Sequence, residues 1–528
     1  MRIRYYLFQK IKKTKDKKIR KKNHVKQKGI IIIQIDGLSK NHLKAAIEKK
    51  KMPFLTKLLT KQNYEVYPMY TGVPTTTPAV QGELFYGIKS IVPSFSFRDH
   101  KLKEIRRMYF PEDATRVEEK LSGMGEPLLK NGSSYGNIYS GGALKANYCI
   151  VSFGKERLLK ALSLKNIVLN LYNSIKTFLK SILFLVAELF LGVYDFIKGL
   201  FYRHNFFQEF KFIGSRLAIT ILLRDRMKDS VKYDVRQGVE IMHVNFMGYD
   251  EHAHRRGPSS GFAYWVLKGI DRSIKDIWHT ARKSKKRDYK VIIFSDHGQE
   301  GIISYSKIAG KSMSDAVDDI FVNDKSDSTD EKHGIQNLRS VLLGKKFYQN
   351  LSSFINFKNG PQRLMATAIG PLGHIYLEEM LSPERKQQYA ERLMREAKIP
   401  LVLYIGESEK VMAVNPEGVY ELPAAKAKIL GEDHPYLGEV ATDLDRVVRH
   451  EDAGDFVISG WRKDDKPISF VVQHGAHGGP GKAETDAFVL KPNSFDMKLP
   501  EGRQYYKLNE LRQAIFEYLE RADFNNNV

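Results

Sequence analysis

An α/β fold built on a mostly parallel sheet is predicted by three stretches of this 528-residue chain. Ile30-Ile31-Ile32-Ile33-Gln34-Ile35 is a near-continuous β-branched run, Val239 to Phe246 is a second apolar run, and Val291-Ile292-Ile293-Phe294-Ser295 a third. Strands covered on both faces of a parallel sheet read this way, whereas half-exposed strands alternate apolar with polar residues. Helical stretches such as Ala263 to Ala281 separate the runs, which is the rhythm of an α/β domain.

The first run ends at Asp36-Gly37, after which Ser39 can cap a helix through Leu43, Ala46 and Ile47. The second leads towards Asp250, and the third ends at Asp296-His297-Gly298. Sites in open parallel sheets form beyond the carboxyl ends of the strands, and all three runs deliver carboxylates there. Asp315 to Lys332, rich in Asp, Ser and Lys, reads as a surface loop or the edge of an insertion. Leu508, Leu511, Ile515 and Leu519 at helical spacing predict a closing helix packed on the core.

Composition narrows the chemistry. Hydrophobic residues make up 42 % of the chain and charged residues 28 %, an ordinary globular balance. The single cysteine, Cys149, excludes an intramolecular disulfide framework and a zinc site built on several thiolates. Metal ligands would have to be carboxylates and some of the 15 histidines. The formal charge is +24, and residues 1 to 28 carry half of it, with thirteen Lys/Arg against Asp16 alone. Such a segment is a solvated arm or a polybasic patch drawn to anionic surfaces.

Four motifs carry candidate ligands. Asp36 and Asp296-His297 follow buried runs, and Asp250 and His254 stand four apart, which suits two ligands on one helical turn or tight loop. Near the end, a fourth short apolar run, Val471-Val472, leads into Gln473-His474-Gly475-Ala476-His477-Gly478-Gly479. Three Asp and three His suffice for two metal ions that each keep an open position. The segment Thr75-Thr76-Thr77-Pro78 places Thr77 at a helix N-terminus, because proline favours the first helical position. Free N–H groups and the helix dipole favour negative charge there, and a threonine hydroxyl beside a cation can ionise and attack phosphorus. The competing reading is that Thr75, Thr76 and Thr77 form only a capped turn.

In this order the motifs resemble the alkaline phosphatase superfamily, and within it the type I phosphodiesterase/nucleotide pyrophosphatase branch. The matching text is Ile35-Asp36-Gly37, Thr77-Pro78 with Gly87 ten residues on, Asp250 to Pro258, Ser295-Asp296-His297-Gly298 and Ala476-His477-Gly478-Gly479. The resemblance spans roughly residues 29 to 495. It implies a doubly wound, mostly parallel central sheet with helices on both faces and with helical and cap insertions. It also implies a phosphate ester hydrolase, acting through a phospho-threonine on Thr77, and two divalent ions, zinc first and manganese as the alternative. Asp250, His254 and His477 would hold one ion, and Asp36, Thr77, Asp296 and His297 would surround the other. His474 competes for the last place, and His477 is preferred because it directly precedes Gly478-Gly479, as in the family. His243, His252 and His374 are left as structural. Where nucleotide pyrophosphatases typically carry an asparagine, three residues after the nucleophile, this chain has Val80. The oxyanion would then rely on the metals, the Thr77 N–H or a side chain such as Gln81. Sulfatase and phosphoglycerate mutase relatives are disfavoured by the threonine. A lipid- or sugar-directed phosphoryl transferase, or a silent membrane-associated binding protein of the same fold, are the alternatives.

The expected organisation is a basic tail (1–28), a first part of the catalytic domain (29–160), an amphipathic helical insertion (161–215), a second part (216–310), a surface insertion (311–365) and the remainder with the C-terminal helix (366–528). Within the first insertion, Ile175 to Phe201 puts Lys176, Lys180, Glu188, Asp195 and Lys198 on about a third of the helical wheel and apolar residues opposite. Charges near the middle of a span are expensive, so this segment suits a helix lying in the lipid interface. The competing reading packs it on the enzyme's own core or on a second subunit. The expected partners are a phosphate ester or phosphodiester near the lipid surface and an anionic membrane bound peripherally. No specific nucleic-acid partner is expected, and a homo-oligomer stays open.

Overall fold

The computed structural model describes residues 26–152, 218–321 and 364–521. Most of the basic tail, the segment Ile175 to Phe201 and most of the 311–365 insertion lie outside the described residues.

The main sheet has eight strands: β1 (Gln27–Ile35), β2 (Tyr64–Tyr70), β3 (Ser133–Tyr135), β4 (Lys145–Asn147), β5 (Ile241–Phe246), β6 (Arg287–Phe294), β7 (Ala487–Pro492) and β8 (Tyr506–Lys507). Their order across the sheet is β8-β2-β7-β6-β1-β5-β3-β4. β1 lies between β5 and β6, parallel to both, with Ile31 opposite Met242 on one side and Val291 on the other. β7 runs antiparallel to β2 and β6, while the remaining pairings are parallel. The isoleucine run occupies this central strand because both of its faces are covered. Ile31, Ile33 and Ile35 enter one hydrophobic core, and Ile30 and Ile32 enter another on the opposite face. Helices Lys40–Glu48, Pro53–Lys61 and Gly261–Arg282 close the first core, and Thr77–Tyr86 and Leu508–Leu519 close the second. This is the doubly wound α/β architecture expected from the motifs. Ser39 caps its helix as read, its Oγ accepting from the His42 N–H at 3.1 Å.

Three boundaries differ from the sequence reading. β1 begins at Gln27, so the tail hands over to the sheet two residues early. Asp315 to Phe321, expected in a surface insertion, belongs to the helix Met313–Phe321. Its Ala316, Val317 and Ile320 are buried, at the helical spacing that the surrounding aspartates disguised. Residues 364–459, read as part of the catalytic remainder, form a second sheet of six antiparallel strands. Within its strand Leu401–Ile405, Val402 and Tyr404 face one core, and Leu401 and Leu403 face another. Among the described residues, no helix is long and apolar enough to cross a membrane.

Candidate active site

The site lies at the carboxyl ends of β1, β5 and β6. Three helices matter around it: α1 (Thr77–Tyr86), α2 (Gly248–Arg256) and α3 (Gly261–Arg282). Asp36 is the first residue after β1, and Asp296 and His297 follow β6, so two adjacent parallel strands bring these side chains together. The His297 Nε2 lies 3.6 Å from Asp36 Oδ1 and 3.4 Å from Asp296 Oδ2. Asp250 and His254, one turn apart on α2, meet at 3.3 Å, and His477 Nε2 approaches Asp250 Oδ1 to 3.6 Å. The six ligands named from sequence thus form two triads, Asp36/Asp296/His297 and Asp250/His254/His477. The rings of His297 and His477 stack at 3.8 Å, which joins the triads. His474 is exposed and lies outside both triads. His243 and His374 are wholly buried in strands, and His252 is buried within α2.

The donor set fits divalent cations. Each imidazole turns its Nδ1 to a backbone carbonyl: His254 to Gly475 at 2.9 Å, His297 to Gly298 at 3.0 Å and His477 to Thr75 at 2.7 Å. A carbonyl only accepts, so each Nδ1 carries a proton, and Nε2 is the nitrogen left to bind a cation. Backbone anchoring of this kind orients metal-binding histidines. Asp296 Oδ2 is buried with no hydrogen-bond partner among the described residues, which is costly unless a cation answers it. Nitrogen and carboxylate oxygen suit zinc well. Without a cation the charges strain against each other. Burial, with Asp296 and Asp250 nearby, drives Asp36 well above the usual carboxylate range, and burial also raises Asp296. Burial opposes charge on His254 too, but Asp250 outweighs it and pushes the imidazole up to about 9. Burial and the neighbouring His297 hold His477 well below its ordinary value.

Thr77 is the threonine that faces this chemistry. Its Oγ1 is 3.5 Å from His297 Nε2. The helix opens one residue earlier than Pro78 suggested: Thr76 is the cap, Thr77 the first helical residue and Pro78 the second. Thr75 is committed elsewhere, because its Oγ1 accepts from the Gly478 N–H at 2.8 Å and donates to Gly479 O or Glu484 Oε2. Gln81 does not serve the oxyanion. Its Nε2 donates to Gln34 and Asn137, and its Oε1 accepts from the Ile138 N–H, all in the interior. Val80 is buried in the core beside it.

Four supporting residues were missed from sequence. Asn245 donates to Asp36 Oδ2 at 2.7 Å, Gln299 donates to Asp250, and Thr75 with Glu484 fixes the His477 loop. Asn245 and Gln299 sit beside motif residues and carried that much signal, whereas Glu484 carried none. The late histidines follow no long buried strand, only the two-residue strands Ile468–Ser469 and, before His477, Gly475–Ala476. Val472 is exposed, and Gly475–Ala476 is a two-residue strand paired with Glu300–Gly301.

A doubly wound sheet thus carries paired Asp/His triads and a helix-terminal threonine at its carboxyl edge. A family model described as type I phosphodiesterase / nucleotide pyrophosphatase matches residues 195–427, a span that contains Asp250, His254, Asp296 and His297. Among solved structures the chain is similar to murine ectonucleotide pyrophosphatase / phosphodiesterase 5 (ENPP5, NPP5), at 11 % identity and a TM-score of 0.46, covering 95 % of this chain and 97 % of that one. An inactive variant of that murine protein in complex with AMP matches at 10 % identity and 0.45, with the same coverage. The comparison with curated proteins gives no match.

Proposed function

We propose that the chain is a phosphodiesterase/nucleotide pyrophosphatase that passes a phosphoryl group from its substrate to Thr77 and then to water, with one divalent cation at each triad. The cations, zinc first and manganese second, would supply Lewis acidity and neutralise charge on the phosphoryl and leaving oxygens. Asp36, Asp296 and His297 would hold one beside Thr77, and Asp250, His254 and His477 the other. The observation that carries the reading is the approach of the Thr77 hydroxyl to the buried triad while Thr75 is spent on a distant loop.

The chain's own groups account for the rest of the path. Thr77 Oγ1 bonds to phosphorus as the bond to the leaving oxygen breaks; that oxygen takes the electron pair, and the hydroxyl proton passes to solvent. The unpaired N–H groups at the start of α1 favour the negative charge that gathers on the phosphoryl oxygens. Water then attacks phosphorus from the side the leaving group vacated; the bond from phosphorus to Thr77 Oγ1 breaks, Oγ1 takes the electron pair and a proton, and the water gives up a proton as the phosphate product leaves. The full set of six ligands favours this reading over a silent binding protein. A panel of chromogenic phosphomonoesters and phosphodiesters, run with metal analysis, tests it. Turnover should vanish on full metal removal and return with zinc, and a quenched reaction should show Thr77 carrying phosphate from a monoester, or the phosphoryl group with its retained ester from a diester. Full activity in the stripped protein would overturn it.

Peripheral membrane association belongs to the same proposal. It is supported by the basic N-terminal segment and by the amphipathic pattern of Ile175 to Phe201.

A further inference from the structure

At the amino ends of the sheet strands, opposite the catalytic edge, lies a cleft of about 550 Å³ whose walls include Lys232, Arg236, His279, Lys283, Lys285 and Lys286. No acidic residue lines it. Lys283, Lys285 and Lys286 come from the loop that joins the end of α3 to β6, and Arg236 from the end of the helix Arg224–Gln237 that precedes β5. Among the described residues, Arg236, Lys283, Lys285 and Lys286 have no acidic partner. Lys232 has only Asp229, at 3.8 Å. Elsewhere basic side chains are commonly paired, as Arg287 is with Glu240 and Arg521 with Glu240. The cations act on one another here. Burial together with Lys57, Lys275 and Lys283 lowers His279 below its ordinary value.

The polybasic segment joins the molecule at this same place. Lys26 donates to the Ser284 carbonyl at 2.7 Å, and eleven Lys/Arg precede it in the chain. Lys26 therefore adds a further cation at the edge of the cleft. We propose that this basic cleft seats the phosphorylated headgroup of an anionic lipid. A small concave site without acids gives a place for a phosphate, which a diffuse basic tail alone does not supply.

The proposal alters the substrate as well, and in this it rests on the hydrolase reading above. From Lys286 to Asp296 is ten residues of strand, about 30 Å at the usual rise. A membrane held at the amino ends leaves the catalytic triads on the far side. The substrate is then a phosphate ester dissolved in the aqueous phase, not one embedded in the bilayer that the enzyme rests on.

The test uses the full chain with phosphatidylcholine vesicles, with and without phosphatidylserine, at low salt. Each basic residue near an anionic surface is worth roughly fivefold in partitioning, so K283E/K285E/K286E should bind the anionic vesicles at least about 100-fold more weakly. Its hydrolysis of a soluble phosphodiester and its thermal midpoint should be those of the parent. The milder K285Q/R236Q pair, expected to lose about 25-fold, serves should the charge-reversed protein fail to fold. Unchanged vesicle binding in a folded variant overturns the proposal, as does a parent that ignores the anionic vesicles. Titration with inorganic phosphate separates the sources: phosphate binding abolished by the substitutions, with no vesicle binding, would make the cleft a site for soluble anions and overturn the lipid assignment. Faster turnover of a lipid phosphodiester within the bound vesicle than of the soluble ester would overturn the stated orientation. An inactive protein that still binds vesicles through the cleft would defeat only the hydrolase reading.

Discussion

The two triads use the same residue types in opposite settings. Asp36, Asp296 and His297 come from the ends of two adjacent strands and are essentially sealed, with Asp296 and His297 at 0 % side-chain exposure. Asp250, His254 and His477 come from a helix and a distant glycine-rich loop, and His254 keeps 29 %. A strand end in a parallel sheet is held by neighbours on both sides, so the first triad is fixed by the core. The second depends on a loop stitched to the nucleophile segment by Thr75 and Glu484. One triad is therefore held rigidly beside Thr77, and the other stays open to solvent.

The sharpest way to break this contrast is at the nucleophile. Thr77→Ala should lower turnover by at least about 10³-fold while both triads keep their metal, whereas Thr76→Ala keeps most activity. Steady-state kinetics with metal analysis checks both. If Thr76→Ala were dead and Thr77→Ala active, the register would be off by one. Next come the triads themselves. Asp296→Ala and His254→Ala should each abolish phosphodiesterase activity and remove bound metal with the fold intact. Their effects on the stripped protein differ: Asp296→Ala removes a repelling buried carboxylate and should not lower its thermal midpoint, while His254→Ala strands Asp250 without its cationic partner and should lower it.

A weaker effect is expected from the stitch. Thr75→Val or Glu484→Gln leaves every ligand in place but frees the His477 loop, and should weaken metal binding at the exposed triad about 10- to 100-fold. Competition with a chelating dye would resolve the two sites; equal losses at both triads would contradict the assignment of Thr75 to one of them. The smallest effect is in pH. In the stripped protein, His254 is raised from 6.5 to about 9, so its stabilisation is complete below pH 6.5 and lost as pH climbs through about 9. Asp36, also raised, costs stability over the range above the ordinary carboxylate value. The thermal midpoint of stripped protein should fall by a few degrees between pH 6.5 and 9, and that of metal-loaded protein should stay level, because the cation replaces the proton. Calorimetry across that window decides it.

The same contrast explains how much could be read in advance. Asp36, Asp296 and His297 were legible because buried strands announce themselves as apolar runs, and the residues directly after such a run lie at the sheet's carboxyl edge. Asp250 and His254 were legible from their helical spacing. His477 was separable from His474 only through the family motif, since the buried strand that leads to it, Gly475–Ala476, is too short to show as an apolar run. Glu484 and Thr75 act across 409 residues of sequence, and no local pattern encodes a contact of that kind. Gln81 failed for the complementary reason. Proximity to Thr77 along a helix does not fix the face, and its amide turns towards Gln34 and Asn137. The second sheet was hidden because its short antiparallel strands lack the long isoleucine-type runs that mark the first.

The position of β7 has a consequence for biosynthesis. This strand, completed only at Pro492, fills the gap between β2 and β6, and His477 arrives shortly before it. A ribosome adding about 5–20 residues per second needs roughly 10–40 s to go from Asp296 to His477. For that interval the nascent chain holds a sheet in two pieces, with two unpaired edges that other strands could occupy. It also lacks a ligand of the second triad. A growing chain therefore lacks a complete second triad until nearly all of it has been made, and chaperones that shield strand edges should matter most during that wait.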